Sequence, residues 1–247
     1  MSHAFTKREL REQRRAARQA AERAARAREI RRRRLWQLGA VAGIAVVVVA
    51  AVIALSSSGG STPTRSPSEA AALFRGIPER NGVLGANTAP ITVTEFLDPQ
   101  CPVCAEASRS ILPTLVNDYI RTGKVKLDAQ PLHFIGPDSV RAARFAEGAA
   151  RQNRFWPFME AFYAAQKQEN SGYVTDSFLR SVAASAGVNA TKALAYANSA
   201  QSQRPLDQAN AQAARLGVNA TPTFTIARGK GSPKVVSASD LLAQLRG

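Results

Sequence analysis

Cysteine is nearly absent. The chain has two, Cys101 and Cys104, and both lie in one tetrapeptide, Cys101-Pro102-Val103-Cys104. A scaffold stapled by several disulfides is thereby excluded. Histidine is as scarce, with only His3 and His133; a zinc site built on the C-x-x-C pair would need both, and His3 lies in the basic tail, across the membrane in the topology read below, so no zinc site is expected. Acidic residues are few, 18 against 33 Lys/Arg. That excess alone suggests nucleic acid, but it is unevenly placed. Residues 1–34 hold 13 Lys/Arg against 4 Asp/Glu, and the remainder holds 20 against 14. Most of the net charge of +15 therefore belongs to a tail with Phe5 as its sole aromatic, and no nucleic-acid partner is expected.

One long apolar run is present, Leu35–Leu55, with Gln37 as its only strongly polar residue. As a helix it would span roughly 31 Å, matching the ~30 Å hydrocarbon core of a bilayer. Arg31–Arg34 abut its amino end, Trp36 sits at interface depth, and uncharged Ser56–Gly60 follow. The positive-inside rule then keeps the amino terminus in the cytoplasm and puts everything after residue 55 outside. The basic leader and the apolar span are both long for a cleaved signal peptide. The expected organisation is a basic cytoplasmic tail (1–34), a single-pass transmembrane signal anchor in the cell membrane (35–55), a Ser/Gly/Pro spacer (56–68) and a globular part (69–247). Within the tail, Ala17, Ala20, Ala21 and Ala24 form a stripe and Glu22 pairs with Arg26 at i,i+4, as in a juxtamembrane helix that fixes topology.

In the globular part the pattern predicts a short strand at Val83-Leu84-Gly85 and a strong one over Ile91–Leu97. A helix from Pro102 to about Arg121, kinked at Pro113, and a strand Lys124–Pro131 follow. Residues 138–216 read as helical: Arg141–Arg151, Trp156–Gln168, a helix capped by Thr175 and ended by Gly187, one opened by Thr191, and Leu206–Leu216. A hairpin of Thr223–Ala227 and Lys234–Ser237 and a last helix Ser239–Leu245 close the chain. The fold class is α/β, with a helical block interrupting a small sheet.

The strand Ile91–Leu97 runs almost directly into the C-x-x-C, and a helix leaves it. A helix start offers unpaired N–H groups and a positive dipole end, both of which stabilise a thiolate. Proline suits the first helical position. A disulfide across four residues contributes about 2 kcal/mol or less by the loop-entropy relation, so the pair is placed for making and breaking a bond. Glu95, six residues earlier, shares a strand face with Ile91, Val93 and Leu97. A carboxylate there has a raised pKa and suits proton exchange; from spacing alone, an edge-exposed position is an equal alternative. Asp98 and Gln100 shape the approach, His133 is structural, and Trp156, Phe158, Phe162 and Tyr163 are insertion core.

Glu95, Cys101-Pro102-Val103-Cys104 and Thr221-Pro222-Thr223-Phe224 together resemble the DsbA-like branch of thioredoxin-fold proteins over about residues 80–247. The resemblance implies a thioredoxin fold split by a helical insertion (about 138–216). It implies that Cys101 is the nucleophile and Cys104 the buried resolving sulfur, with Glu95 relaying a proton to Cys104. It also implies a cis Pro222 opposite the disulfide, with Thr221 offering its backbone to substrate and Pro102 and Val103 completing the substrate surface. Val103 stands where DsbA has histidine, so a strongly oxidising potential is not implied. The only redox group expected is the Cys101–Cys104 disulfide, with no cofactor and no metal. The implied partners are exported proteins with free thiols and a membrane redox protein that re-oxidises the pair. The leading expectation is extracytoplasmic disulfide formation. A reductase or isomerase of the same fold, and a non-catalytic membrane-anchored binding module, are the alternatives.

Overall fold

The computed structural model describes residues 66–246. The basic tail, the apolar run and most of the spacer lie outside them. Among the described residues no helix is long and apolar enough to cross a membrane.

The first described helix lies partly within the segment read as spacer. Helix α1 (Pro67–Ala72) starts inside the Ser/Pro stretch because Ser66 and Glu69 form a reciprocal capping box, with Pro67 at the first position. A two-residue strand, β1 (Glu79–Arg80), which the pattern did not predict, pairs with β2 (Val83–Leu84). Strand β3 (Ile91–Leu97) matches its expected bounds. Five of its seven residues are β-branched or aromatic, the types that fit a pleated sheet.

Helix α2 (Pro102–Ser110) is shorter than predicted. Pro113 has no N–H to donate to the turn before it, and the chain breaks at Ile111. It then resumes as Leu112–Thr114 and a π-helical stretch, Leu115–Ile120. Strand β4 (Val125–Pro131) follows.

The helical block comprises α3 (Pro137–Ala150), α4 (Phe155–Ala164), α5 (Asp176–Ala186), α6 (Ala190–Ala197) and α7 (Gln203–Leu216). Thr175 caps α5 and Gly187 ends it in the left-handed conformation, as the sequence indicates. Helix α6 opens one residue before Thr191, because the Asn189 side chain accepts the Lys192 N–H as its cap. Helix α7 starts earlier than Leu206, at Gln203, after a 3-10 turn. Strands β5 (Thr223–Arg228) and β6 (Lys234–Val236) and helix α8 (Leu241–Arg246) complete the chain.

The sheet order is β1-β2-β4-β3-β5-β6, with β3 parallel to β4 and antiparallel to β5. Strand β3 is thus central and covered on both faces. Val93 and Leu97 belong to the large core with α2 and the insertion, whereas Phe96 packs with Leu132, Ala209, Ala213 and Val218. The central position removes the edge-exposed alternative for Glu95, which is 5% exposed.

Candidate active site

Cys101 is itself the N-cap of α2. Its backbone is extended (φ −71°, ψ 117°) and its sulfur accepts the Cys104 N–H at 3.3 Å, where a serine or aspartate oxygen usually sits. Pro102 takes the first helical position. The two cysteines are unbridged in this structure. Cys101 is 6% exposed and Cys104 is fully buried. Between them, Pro102 and Val103 face solvent, and Val103 is 59% exposed.

The other side of the sulfur is closed by the turn before β5. The Cys101 thiol donates to the Thr221 carbonyl at 3.3 Å, and the Thr221–Pro222 peptide is cis. The structure therefore brings Thr221, 120 residues away in the chain, directly against Cys101. Thr221 and Pro222 are half-buried.

The two thiols are strongly unequal. Cys101 is pulled down to about 6, chiefly by the hydrogen bond from the Cys104 thiol. The Thr221 side chain and the N–H groups of Cys104 and Val103 act in the same direction, and burial opposes them. Cys104 is pushed far above the ordinary thiol range, first by burial, then by its bond to Cys101 and by the charges of Cys101 and Glu95. At neutral pH the pair holds one thiolate, on the more exposed sulfur.

Glu95 lies under the active-site helix. With Ser108, Ile111, Leu112 and Phe224 it lines a cavity of about 10 Å³, the room of a single water molecule. Burial pushes its carboxyl up to about 8, and the negative charge of Glu160 adds to that. A carboxyl poised near neutrality beside a thiol that resists ionisation can take or return its proton.

Asp98 and Gln100 do more than border the approach: both are fully buried and clamp the turn that carries Cys101. The Asp98 carboxylate accepts from the Ser139 hydroxyl (2.7 Å), the Gln100 N–H (2.8 Å) and the Ile135 N–H (3.3 Å). Gln100 donates to the Tyr173 hydroxyl and accepts the Asn170 N–H, each at 2.8 Å. Tyr163 donates to the Asp98 carbonyl at 3.2 Å, and Gln166 to the Pro99 carbonyl at 2.9 Å. The insertion thus holds the loop through its polar atoms as well as through packing. Trp156 likewise donates to the Gly82 carbonyl at 2.8 Å. His133 stands apart from the cysteines, paired with Asn210 at 3.1 Å.

Sequence reasoning missed Ser108, Glu160 and the clamp role of Tyr163. Ser108 is one helical turn beyond Cys104, and Glu160 is the single acid in the otherwise apolar α4, Phe155–Ala164. Both signals were present. Only the fold puts them under one helix.

The family model for thioredoxin matches residues 79–241. The chain belongs to the thioredoxin family. Its curated relatives include the probable disulfide bond formation protein D of Bacillus cereus, 37% identical over 101 residues, or 40% of this chain and 47% of that one. The chain thus spans about half the length of that relative. Among solved structures, oxidised BdbD from Bacillus subtilis superposes with a TM-score of 0.59 at 23% identity, over 69% of this chain and 95% of that one. Chlamydia trachomatis DsbA gives 0.57 at 22% identity, over 67% and 91%. At those identities the structural likeness establishes the fold, a mixed α/β thioredoxin-like fold with added helices.

Proposed function

We propose that this chain is an extracytoplasmic thiol–disulfide oxidoreductase that forms disulfides in exported proteins. The observation that carries the reading is the unequal placement of the two sulfurs: Cys101 caps helix α2 against the Thr221 carbonyl while Cys104 is fully buried, which draws the first thiol down to about 6 and holds the second protonated. An acidic thiol is a good leaving group and stabilises the reduced pair, so the oxidised pair gives up its disulfide readily. That favours oxidation of clients as the direction.

In the oxidised enzyme a client thiolate attacks the Cys101 sulfur. The Cys101–Cys104 bond breaks, its electron pair leaves with Cys104, and Glu95 supplies the proton. A second client thiolate then attacks the client's own sulfur in the mixed disulfide and Cys101 departs as thiolate. In the mixed disulfide Cys101 has no proton, so the Thr221 carbonyl is free to accept an N–H from an extended client segment. Exposed Val103 and Phe134, the latter next to the Ile135 N–H that binds Asp98, offer apolar surface to unfolded clients. The names of the matching relatives, which refer to disulfide bond formation, support the same reading.

The apolar run 35–55 with its arginine flank serves as a single-pass anchor, and a membrane redox partner re-oxidises the pair. The soluble 65–247 fragment, oxidised beforehand, should restore activity to a reduced protein that requires disulfides. Equal activity from Cys101→Ala would refute the reading.

A further inference from the structure

Glu160 is an acid that the exchange mechanism above does not use, yet it is 4% exposed inside an apolar helix. The Ser108 hydroxyl donates to Glu160 Oε1, and Ser108 also lines the small cavity that Glu95 borders. One serine of the active-site helix thus links a carboxyl on the insertion helix α4 to the carboxyl on β3. The groups that face Glu95 are the Cys104 thiol and Ser108 hydroxyl from α2 and Glu160 and the Tyr163 phenol from α4. Its strand neighbours Ala129 and Phe224 carry no charge.

We propose that Glu160 is a positioning residue for the Cys104 proton: fixed by Ser108, its carboxylate raises the pH at which Glu95 gives up its proton and becomes able to take that of Cys104, so that the two buried carboxyls work as a coupled pair. Two carboxyls in one apolar pocket do not both ionise readily, and the second proton is held to higher pH. The charge of Glu160 acts on Glu95 in that direction. In the resolving step Cys104 passes its proton to ionised Glu95, its sulfur attacks Cys101 in a mixed disulfide, the new S–S bond forms and the other thiol leaves. Glu160 sets the pH at which that base becomes available. This inference rests on the exchange chemistry proposed above.

The test uses the full-length reduced protein mixed rapidly with 5,5′-dithiobis(2-nitrobenzoate). Attack by Cys101 releases a first coloured thiolate, and resolution by Cys104 releases a second. Glu160→Gln, which can still accept from Ser108, should move the midpoint of the second phase downward by about 1 pH unit and leave the first phase's midpoint in place. A merely structural role would disturb both phases together. Ser108→Ala, which keeps both carboxyls, should move the second phase the same way by less. Second-phase midpoints unchanged in both variants, or both phases shifted alike, would overturn the inference while leaving thiol exchange intact. Absence of the first phase in the wild-type protein would overturn the exchange reading and this inference with it.

Discussion

Cys101 and Cys104 differ in environment far more than in sequence position. Only two residues separate them, but one sulfur caps a helix against the Thr221 turn and the other is fully buried in the core. From that follows the trapping behaviour: Cys104→Ser should accumulate mixed disulfides between Cys101 and client proteins, visible as adducts on non-reducing gels, whereas Cys101→Ser should form none. Glu95 has a stability consequence of definite sign. Its carboxyl titrates at about 4.5 when free and at about 8 in the fold, so the folded state holds the proton more tightly. That contribution is full below pH 4.5 and is lost as pH rises through 8. In the reduced protein, Glu95→Gln should therefore change thermal stability little at pH 4.5 and raise it by about 3 kcal/mol at pH 7. A pH-independent difference in calorimetric melting would contradict the assignment. The cysteine pair and the acid ahead of it were legible because their spacing reports one strand and one helix start. Thr221 was not legible from spacing, since 120 residues of chain separate it from the sulfur it touches.

At the scale of elements, the active-site turn owes its shape to the insertion helices. The buried Gln100 side chain makes two hydrogen bonds, to residues 170 and 173. Gln100→Ala should cost about 2–3 kcal/mol and speed amide exchange across Cys101–Cys104, measured by hydrogen–deuterium exchange. The insertion has its own tight seam. A Cβ on Gly148 would lie 2.6 Å from the Ala193 carbonyl oxygen and 2.8 Å from its Cα, so α3 and α6 approach through bare backbone. Gly148→Ala should destabilise by about 1–3 kcal/mol in denaturant unfolding, as overpacking does. Most elements could be read from apolar periodicity and caps: β3 from its Ile/Val/Phe run, α5 from Thr175 and Gly187. Others could not. Strand β1 is too short to show a period, and the break at Ile111 reflects where the backbone relieves Pro113, which periodicity does not encode. The clamp on residues 98–100 was hidden because its donors sit on aromatic and amide side chains that read as core or surface.

At the scale of the whole molecule, the proposed function divides the work between the redox domain and the basic, apolar segment ahead of it. Deletion of residues 1–55 should move the protein from the membrane fraction to the soluble fraction while leaving the rate of Cys101 alkylation unchanged. A drop in that rate would mean that the leader takes part in the chemistry. The charge asymmetry and the single apolar run are what suggest this division, and both lie in residues outside those the structure describes.

The central claim is that the fold makes Cys101 acidic, and alkylation of the reduced protein as a function of pH measures it most directly. One fast thiol is expected, at Cys101, with its midpoint near pH 6, and Cys104 unreactive across the neutral range. A midpoint near that of an unperturbed thiol, about 8.5, would contradict it.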